Sequence, residues 1–115
     1  MDNITINVVN IIGDVYGIEA SDGEKVFELI IKAFKENKKV TLSFQNIKIL
    51  TTAFLNAAVG QLYRDFDEEF IKQHLQVSEI SESGEVALKR VIETAKLFYE
   101  NPDLLKKTID EISED

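Results

Sequence analysis

The fold of this chain is decided by three consecutive segments, VTLSF (40–44), QNIKIL (45–50) and TTAFL (51–55). The first predicts a buried strand, the second a tight connection, and the third the start of a helix. That helix begins on two adjacent hydroxyl residues, Thr51 and Thr52. Backbone N–H groups at a helix N-terminus lack partners, and the helix dipole favours negative charge there. Three roles for this hydroxyl pair therefore stay open: capping the helix, binding an anion, or accepting a phosphoryl group.

The amino-terminal third of the chain predicts a strand followed by a helix. Residues Ile4–Ile12 alternate Ile and Val with Thr and Asn, which is typical of a strand. Residues 14–20 predict either a second short strand or a loop. Ser21 with Glu24 three residues later has the spacing of a capping box, so we expect a helix to begin there. Its apolar residues recur at helical spacing, and Asn37 is the expected stop.

The carboxyl-terminal half of the chain predicts mostly helix. In order, the expected elements are a helix from Thr52 to about Phe66, a helical turn opened by Asp67, Glu68 and Glu69, a half-exposed strand over Leu75, Val77 and Ile80, a helix from Gly84 to Asn101 capped by Ser83, and a last helix from Pro102 to Ile112. Strands that alternate with helices indicate an α/β layer structure. We expect one domain over residues 1–115, with a short sheet of about four strands covered by helices. Residues 102–115 should form an acidic C-terminal helix and tail.

The composition excludes several classes of protein. The net charge of −8 argues against nucleic-acid binding, which needs a basic face. The absence of cysteine excludes disulfides and thiolate sites and fits a reducing compartment. No apolar run approaches the ~20 residues that span a bilayer, so no membrane association is expected. The start Met1-Asp2-Asn3 lacks the basic residues of a signal peptide, and we expect a cytoplasmic protein.

Catalytic and metal-binding patterns are missing from the sequence. His74 is the one histidine, and no second ligand stands at a metal-site spacing. The acids Asp65, Asp67, Glu68 and Glu69 lack the loop pattern and glycine of a calcium site, so a solvated helix start is the better interpretation. No glycine-rich phosphate loop or Ser–His–Asp order is present. We therefore expect no enzymatic activity, no metal and no cofactor.

The central segments resemble the STAS fold, which anti-sigma factor antagonists share with the cytoplasmic domains of sulfate transporters. The resemblance lies in the strand 40–44, the connection containing Asn46-Ile47, and the helix that opens LTTAF at residues 50–54. Together with DGEKV at 22–26 and the helix over 91–98, it is closer still to an uncharacterised STAS-like family. It extends over roughly residues 18–99, most of the chain.

The resemblance implies a regulatory protein-interaction domain. In the antagonists the helix opens on Asp-Ser-Ser/Thr-Gly, and a partner kinase phosphorylates a hydroxyl there; this chain has Leu50 and Ala53 in place of the acid and the glycine. By this resemblance Thr51 is the first candidate phosphoacceptor and Thr52 the second. The implied partner is a protein of the histidine-kinase-like ATPase class.

Leu55 and Asn56 are the expected partner contacts, on the less buried side of the helix. Two other functions stay open. One is a module that binds a small anion or nucleotide at the helix start and strand ends. The other is a structural subunit whose copies associate through the Pro102–Ile112 helix. The sequence leaves the oligomeric state open.

Overall fold

The computed structural model describes residues 2–100, with the side chain of Glu100 left out. The strands are β1 (Asn3–Asn7), β2 (Tyr16–Gly17), β3 (Lys39–Ser43), β4 (Ile49–Leu50) and β5 (Leu75–Ser78). The helices are α1 (Val8–Ile12), α2 (Ala20–Lys35), α3 (Thr52–Leu55), α4 (Leu62–Asp65), α5 (Glu68–His74) and α6 (Glu82–Glu100), and a π-helical segment (Asn56–Gly60) lies between α3 and α4. The expected mixed α/β class is confirmed. The predicted helix from Pro102 to Ile112 lies outside the described residues.

Two parallel sheets organise the domain. The larger has the order β1-β3-β5, and the register aligns Thr5 with Thr41 and Thr41 with Gln76. Parallel neighbours require crossover connections, which the intervening helices provide. The smaller sheet is a two-stranded ribbon in which β2 pairs with β4, with Tyr16 opposite Ile49. The segment 45–50, predicted as a simple connection, therefore contains a short strand of its own.

The hydrophobic core lies between β3 and the helices. Val40, Leu42 and Phe44 of the predicted central strand are almost completely buried, and α2 packs its apolar stripe against the same core. The other large side chains that are fully buried are Ile30, Phe54, Leu55, Leu62, Val8, Val26 and Val59. Burying each such side chain contributes about 1.5–3 kcal/mol relative to exposure. This core fixes where α3 begins relative to the ribbon.

The first strand is shorter than predicted, because residues 8–12 form the helix α1 instead of continuing β1. The helix ends at Gly13, which has a φ of 70° and whose N–H donates to the carbonyl of Val9 at 2.9 Å. A left-handed glycine is a common C-cap. The β-branched residues favour a strand locally, but Val8 is fully buried in this turn of helix. Tertiary packing has overridden the local preference.

Two predicted helix caps are wrong by two residues. α2 begins at Ala20 after Glu19, so Ser21 lies inside the helix and no side chain caps it. α6 is capped by Ser81, whose Oγ accepts a hydrogen bond from the N–H of Gly84 at 3.1 Å, so Ser83 lies within the helix. The predicted stop at Asn37 is confirmed, since α2 ends at Lys35 and Asn37 adopts a φ of 57°.

The helix predicted from Thr52 to about Phe66 is interrupted by the π-helical segment. Its wider turn is marked by the N–H of Gln61, which donates to the carbonyl of Asn56 at 3.1 Å. The predicted close approach of this region to a neighbour is confirmed by Gly23 of α2. A Cβ atom built on Gly23 would collide with the carbonyl of Phe54 and lie 2.8 Å from the Cβ of Ala57. Within residues 2–100, no helix has the length and apolar character needed to cross a membrane.

Candidate functional site

The start of α3 is held in place by both hydrogen-bonding functions of the Thr51 hydroxyl. Its Oγ1 accepts a bond from the N–H of Phe54 at 3.2 Å, which is the geometry of an N-cap. The same hydroxyl donates to the carbonyl of Ile18 at 2.8 Å. The backbone N–H of Thr51 also donates to the carbonyl of Gly17 at 3.0 Å. Thr51 therefore ties α3 to the β2–β4 ribbon, and its hydroxyl is occupied by structural bonds.

Thr52 has a different environment from Thr51. It is the first residue of α3 and is exposed, as is the following residue Ala53. Asn56 is also exposed and lies four residues further on, so it shares one face of the helical run with Thr52. Of the two hydroxyls predicted as phosphoacceptors, the accessible one is that of Thr52.

Leu55 does not lie on the less buried side of the helix, so its predicted role as a surface contact is wrong. Its side chain is fully buried and belongs to the hydrophobic core together with Phe54. Two consecutive residues are buried here because α3 lies between α2 and α6 and packs against both. Only Asn56 of the two predicted contacts is accessible from outside.

Three exposed apolar side chains lie beside this helix start. Tyr16 and Ile49 are register partners in the β2–β4 ribbon and project from the same face, and Ile18 follows Tyr16 by two residues. Their exposed fractions are 43% for Tyr16, 42% for Ile18 and 48% for Ile49. We call these three side chains the ribbon patch. The Thr51 hydroxyl bonds directly to the backbone of Ile18, so the patch adjoins the start of α3.

A groove of about 400 Å³ extends from the helical run to α6. Asn56, Ala57 and Gly60 of the π-helical segment form one side, and Phe98 and Tyr99 of α6 contribute to the other. We call it the α6 groove. The small side chains leave the space open, and Phe98 is 36% exposed. The groove therefore presents aromatic surface next to Asn56.

His74 is a structural residue in the described part of the chain. It is 6% exposed, and its ring stacks on Phe70 with 3.9 Å between centroids. Its Nδ1 donates to the carbonyl of Phe70 at 2.9 Å, and its Nε2 lies 3.2 Å from Oδ1 of Asn37. Across residues 2–100, no group of three or more potential ligands could hold a metal ion.

The acids around α5 serve local structure. Asp67 caps α5 by accepting a hydrogen bond from the N–H of Phe70 at 2.8 Å. Glu68 pairs with Lys96 at 2.6 Å and with Lys72 at 3.2 Å, and these hydrogen bonds, that of Lys96 first, lower the pKa of its carboxyl. The Arg64 guanidinium similarly lowers the pKa of Asp65. These carboxylates pair with cations or cap helices instead of clustering around a vacant centre.

The ribbon patch is the part of the site that the sequence did not predict. Residues 45–50 were interpreted as a connection, so the pairing of Ile49 with Tyr16 was not foreseen. The available signal was the two-residue spacing of Tyr16 with Ile18 and of Ile47 with Ile49. Neither run is long enough to be distinguished from a loop by alternation alone.

Comparison with known proteins identifies one family. A family described as a STAS-like domain of unknown function (DUF4325) matches residues 22–85. The matched region, more than half of the chain, runs from the first turn of α2 to the first turn of α6 and includes β3, β4 and the helical run that starts at Thr52. Curated proteins and solved structures give no significant match.

Proposed function

The chain belongs to the family of STAS-like domains, and from this premise we propose that it is a non-enzymatic regulatory protein that binds a protein partner at the start of α3. A STAS-like domain is in general a regulatory or interaction module. The observation that carries the proposal is the position of the ribbon patch directly beside the accessible hydroxyl of Thr52. Apolar side chains grouped at a surface are typical of interaction sites.

The ribbon patch supplies the attractive part of the surface. Tyr16 is an aromatic residue with a polar end, the type that is enriched in interface hot spots. Ile18 and Ile49 add rigid apolar surface on either side of it. Because the ribbon is bonded to Thr51, the patch and α3 form one continuous surface. A partner that covers the patch therefore comes close to Thr52.

Thr52 is the proposed regulatory residue, and Thr51 is less suited to this role. Phosphorylation of Thr51 would break its bonds to Ile18 and Phe54, whereas the hydroxyl of Thr52 is exposed at the helix start. A phosphate on Thr52 adds a charge of about −1.5 to −2. The helix N-terminus tolerates this charge, but an apolar partner surface does not. A mismatch of about 1.4 kcal/mol is enough to lower affinity tenfold.

The proposed partner is a protein of the histidine-kinase-like ATPase class. Support for this class comes from the likeness to anti-sigma factor antagonists, whose hydroxyl lies at the same point of the strand-connection-helix sequence. In this chain the hydroxyls of Thr51 and Thr52 stand between Leu50 and Ala53 instead of an acid and a glycine. We therefore propose that the partner recognises the neighbouring ribbon patch in place of a flanking carboxylate.

Site-specific photocrosslinking tests the docking surface. A benzoylphenylalanine residue at Ile49, in the cells that naturally make the protein, should capture a discrete partner. The matched control is the same residue at Gln73, an exposed position of α5 at the opposite end of the larger sheet. We expect Thr52→Glu to lower capture from Ile49 about tenfold while Thr52→Ala leaves it unchanged. Equal capture from Ile49 and Gln73, or none from Ile49, would refute the surface.

Phosphopeptide mass spectrometry tests the regulation separately. Protein isolated from these cells should carry phosphate on Thr52. The absence of phosphate from both Thr51 and Thr52 across growth conditions would refute the switch, and the crosslinking result would still decide the docking surface.

A ligand-binding module is the second candidate function, and the α6 groove favours it. Its volume of about 400 Å³ falls within the range of small-molecule sites. Thermal-shift screening with small anions and nucleotides tests this function. A bound ligand at 100 times its dissociation constant should stabilise the fold by about 2.7 kcal/mol. The control variant Gly60→Val fills the groove, because its Cβ comes within 3.3 Å of Val91, and should abolish the shift.

A further inference from the structure

The edge strand β1 has an open outer side. In the order β1-β3-β5, β1 pairs with β3 on one side, and no strand within residues 2–100 pairs with the other side. Alternate residues of an edge strand present unpaired N–H and C=O groups. Natural edges are usually protected by lysine, proline or a bulge. The sequence of β1 is Asn-Ile-Thr-Ile-Asn, which contains no charged residue and no proline.

A groove of about 410 Å³ runs along this open edge. Its floor is Ile4–Asn7 of β1, and α2 supplies the wall with Leu29, Lys32, Ala33 and Glu36. Leu29 is a large apolar residue that is 37% exposed on the outer side of α2. The groove therefore offers both backbone hydrogen-bonding groups and apolar surface. This combination suits the addition of a further strand.

We propose that the strand added to this edge is β1 of a second copy of the chain, in antiparallel pairing about a two-fold axis through Thr5. The argument rests on the sequence of β1, which reads identically in both directions. Two-fold pairing about Thr5 aligns Asn3 with the partner copy's Asn7, Ile4 with Ile6, and Thr5 with Thr5. A two-fold interface has to be self-complementary, and this strand is.

Each face of the joined strands receives matching side chains. Ile4 and Ile6 lie on the core side, with Ile6 buried and Ile4 half-buried, so their pairs extend the core across the axis. On the other face Asn3 and Thr5 are exposed, and Thr–Thr pairs across strands are favourable. The result is a continuous six-stranded sheet built from two three-stranded ones.

The charge distribution also favours a second copy. Two molecules of net charge −8 repel each other wherever acidic surfaces meet. The paired strands carry no charge, and the adjoining wall has one residue of each sign, Lys32 and Glu36. A two-fold axis can bring the Lys32 ammonium of one copy towards the Glu36 carboxylate of the other. The edge at β5 lacks this symmetry, because Leu75–Ser78 reads differently in the two directions.

A single cysteine provides the sharpest test, since the chain has none of its own. In Thr5→Cys the two thiols face each other across the axis. Directly opposed residues of antiparallel strands have Cα atoms about 4.5–5.5 Å apart, which is within disulfide range. We expect Thr5→Cys to form a covalent dimer nearly completely under mild oxidation. The control Gln76→Cys, exposed on the opposite edge strand β5, should remain largely monomeric.

Charge substitutions test the same axis without a covalent bond. Sedimentation of the full chain should show a dimer, and Thr5→Lys and Thr5→Glu should each weaken it at least tenfold by placing like charges together. An equimolar mixture of the two variants should restore the dimer as a mixed species. Gln76→Lys is the matched control and should leave the dimer intact. Circular dichroism checks that every variant is folded, which the exposure of Thr5 favours.

Several results would overturn the proposal. One is a full-length chain that stays monomeric at all accessible concentrations. Another is a dimer that persists in Thr5→Lys. A third is a dimer lost in the full-length double variant Leu105→Glu, Ile109→Glu, which would identify the carboxyl-terminal segment as the contact. Equal oxidation of Thr5→Cys and Gln76→Cys would equally refute the two-fold axis.

Discussion

Removing the Thr51 hydroxyl should destabilise the protein far more than removing that of its neighbour. The change Thr51→Ala deletes the acceptor for the N–H of Phe54 and the donor to the carbonyl of Ile18. Thr52→Ala deletes a hydroxyl of similar chemistry from an exposed position. The two substitutions therefore separate the structural role of the hydroxyl pair from the proposed regulatory one.

The expected loss follows from the two bonds of Thr51. Replacing an N-cap threonine by alanine costs about 1 kcal/mol. The second hydrogen bond, from the hydroxyl to Ile18, contributes about 1 kcal/mol. We expect the free energy of unfolding to fall by about 2 kcal/mol and Tm by about 8 °C for a domain of this size. For Thr52→Ala we expect a change within about 0.5 kcal/mol, because alanine is also the better helix former.

Urea unfolding followed by circular dichroism measures these differences. The midpoint for Thr51→Ala should fall with an unchanged denaturant slope, which indicates a loss of stability and not a change of compactness. The control Thr51→Ser retains the hydroxyl and should recover most of the lost stability. Equal effects of alanine at Thr51 and Thr52, or no recovery in Thr51→Ser, would refute the assigned bonds.

Two further predictions concern packing and charge. Gly23→Ala should destabilise the fold by about 1–3 kcal/mol because its methyl group meets backbone of the neighbouring helical run, whereas Gly84→Ala meets only side-chain atoms and should change stability little; thermal unfolding compares them, and equal melting temperatures would contradict the close packing. Glu68→Gln should destabilise at neutral pH because the pKa of Glu68 is lowered in the folded state, so the charged form stabilises the fold. That contribution is present above the unfolded pKa near 4.3 and is lost as pH falls through the lower folded value. Denaturation at a series of pH values should show the difference closing in acid, while Glu69→Gln shows little difference at any pH.

Long periodic segments were predictable from the sequence. The alternation and burial of residues 40–44 predicted β3, and the helical spacing of apolar residues predicted α2 and most of α6. Thr51 was predicted to cap the following helix as one of three roles, and it does. In each case the local preference and the tertiary packing agree, which is the condition under which sequence patterns are reliable.

The remaining features depend on contacts that the sequence does not display. Val8–Ile12 has the composition of a strand, and only the burial of Val8 above the sheet makes a helix the better solution. Leu55 was placed on the accessible side because a regular helix was assumed, but packing on two sides buries it. The ribbon patch requires two dipeptide strands far apart in the chain to meet, and strands of that length have no distinct periodicity.

The π-helical segment has a consequence for comparing related chains. A π turn accommodates one more residue than an α turn at the same place, so it behaves as a single-residue insertion within a helix. A relative with an uninterrupted α-helix here would align with a one-residue gap between positions 56 and 60. Deleting one of these residues in this chain would rotate everything that follows by about 100° relative to α3. Leu62 would then leave the core, and the distance in sequence between Thr52 and the aromatic wall of α6 would no longer match their distance in space.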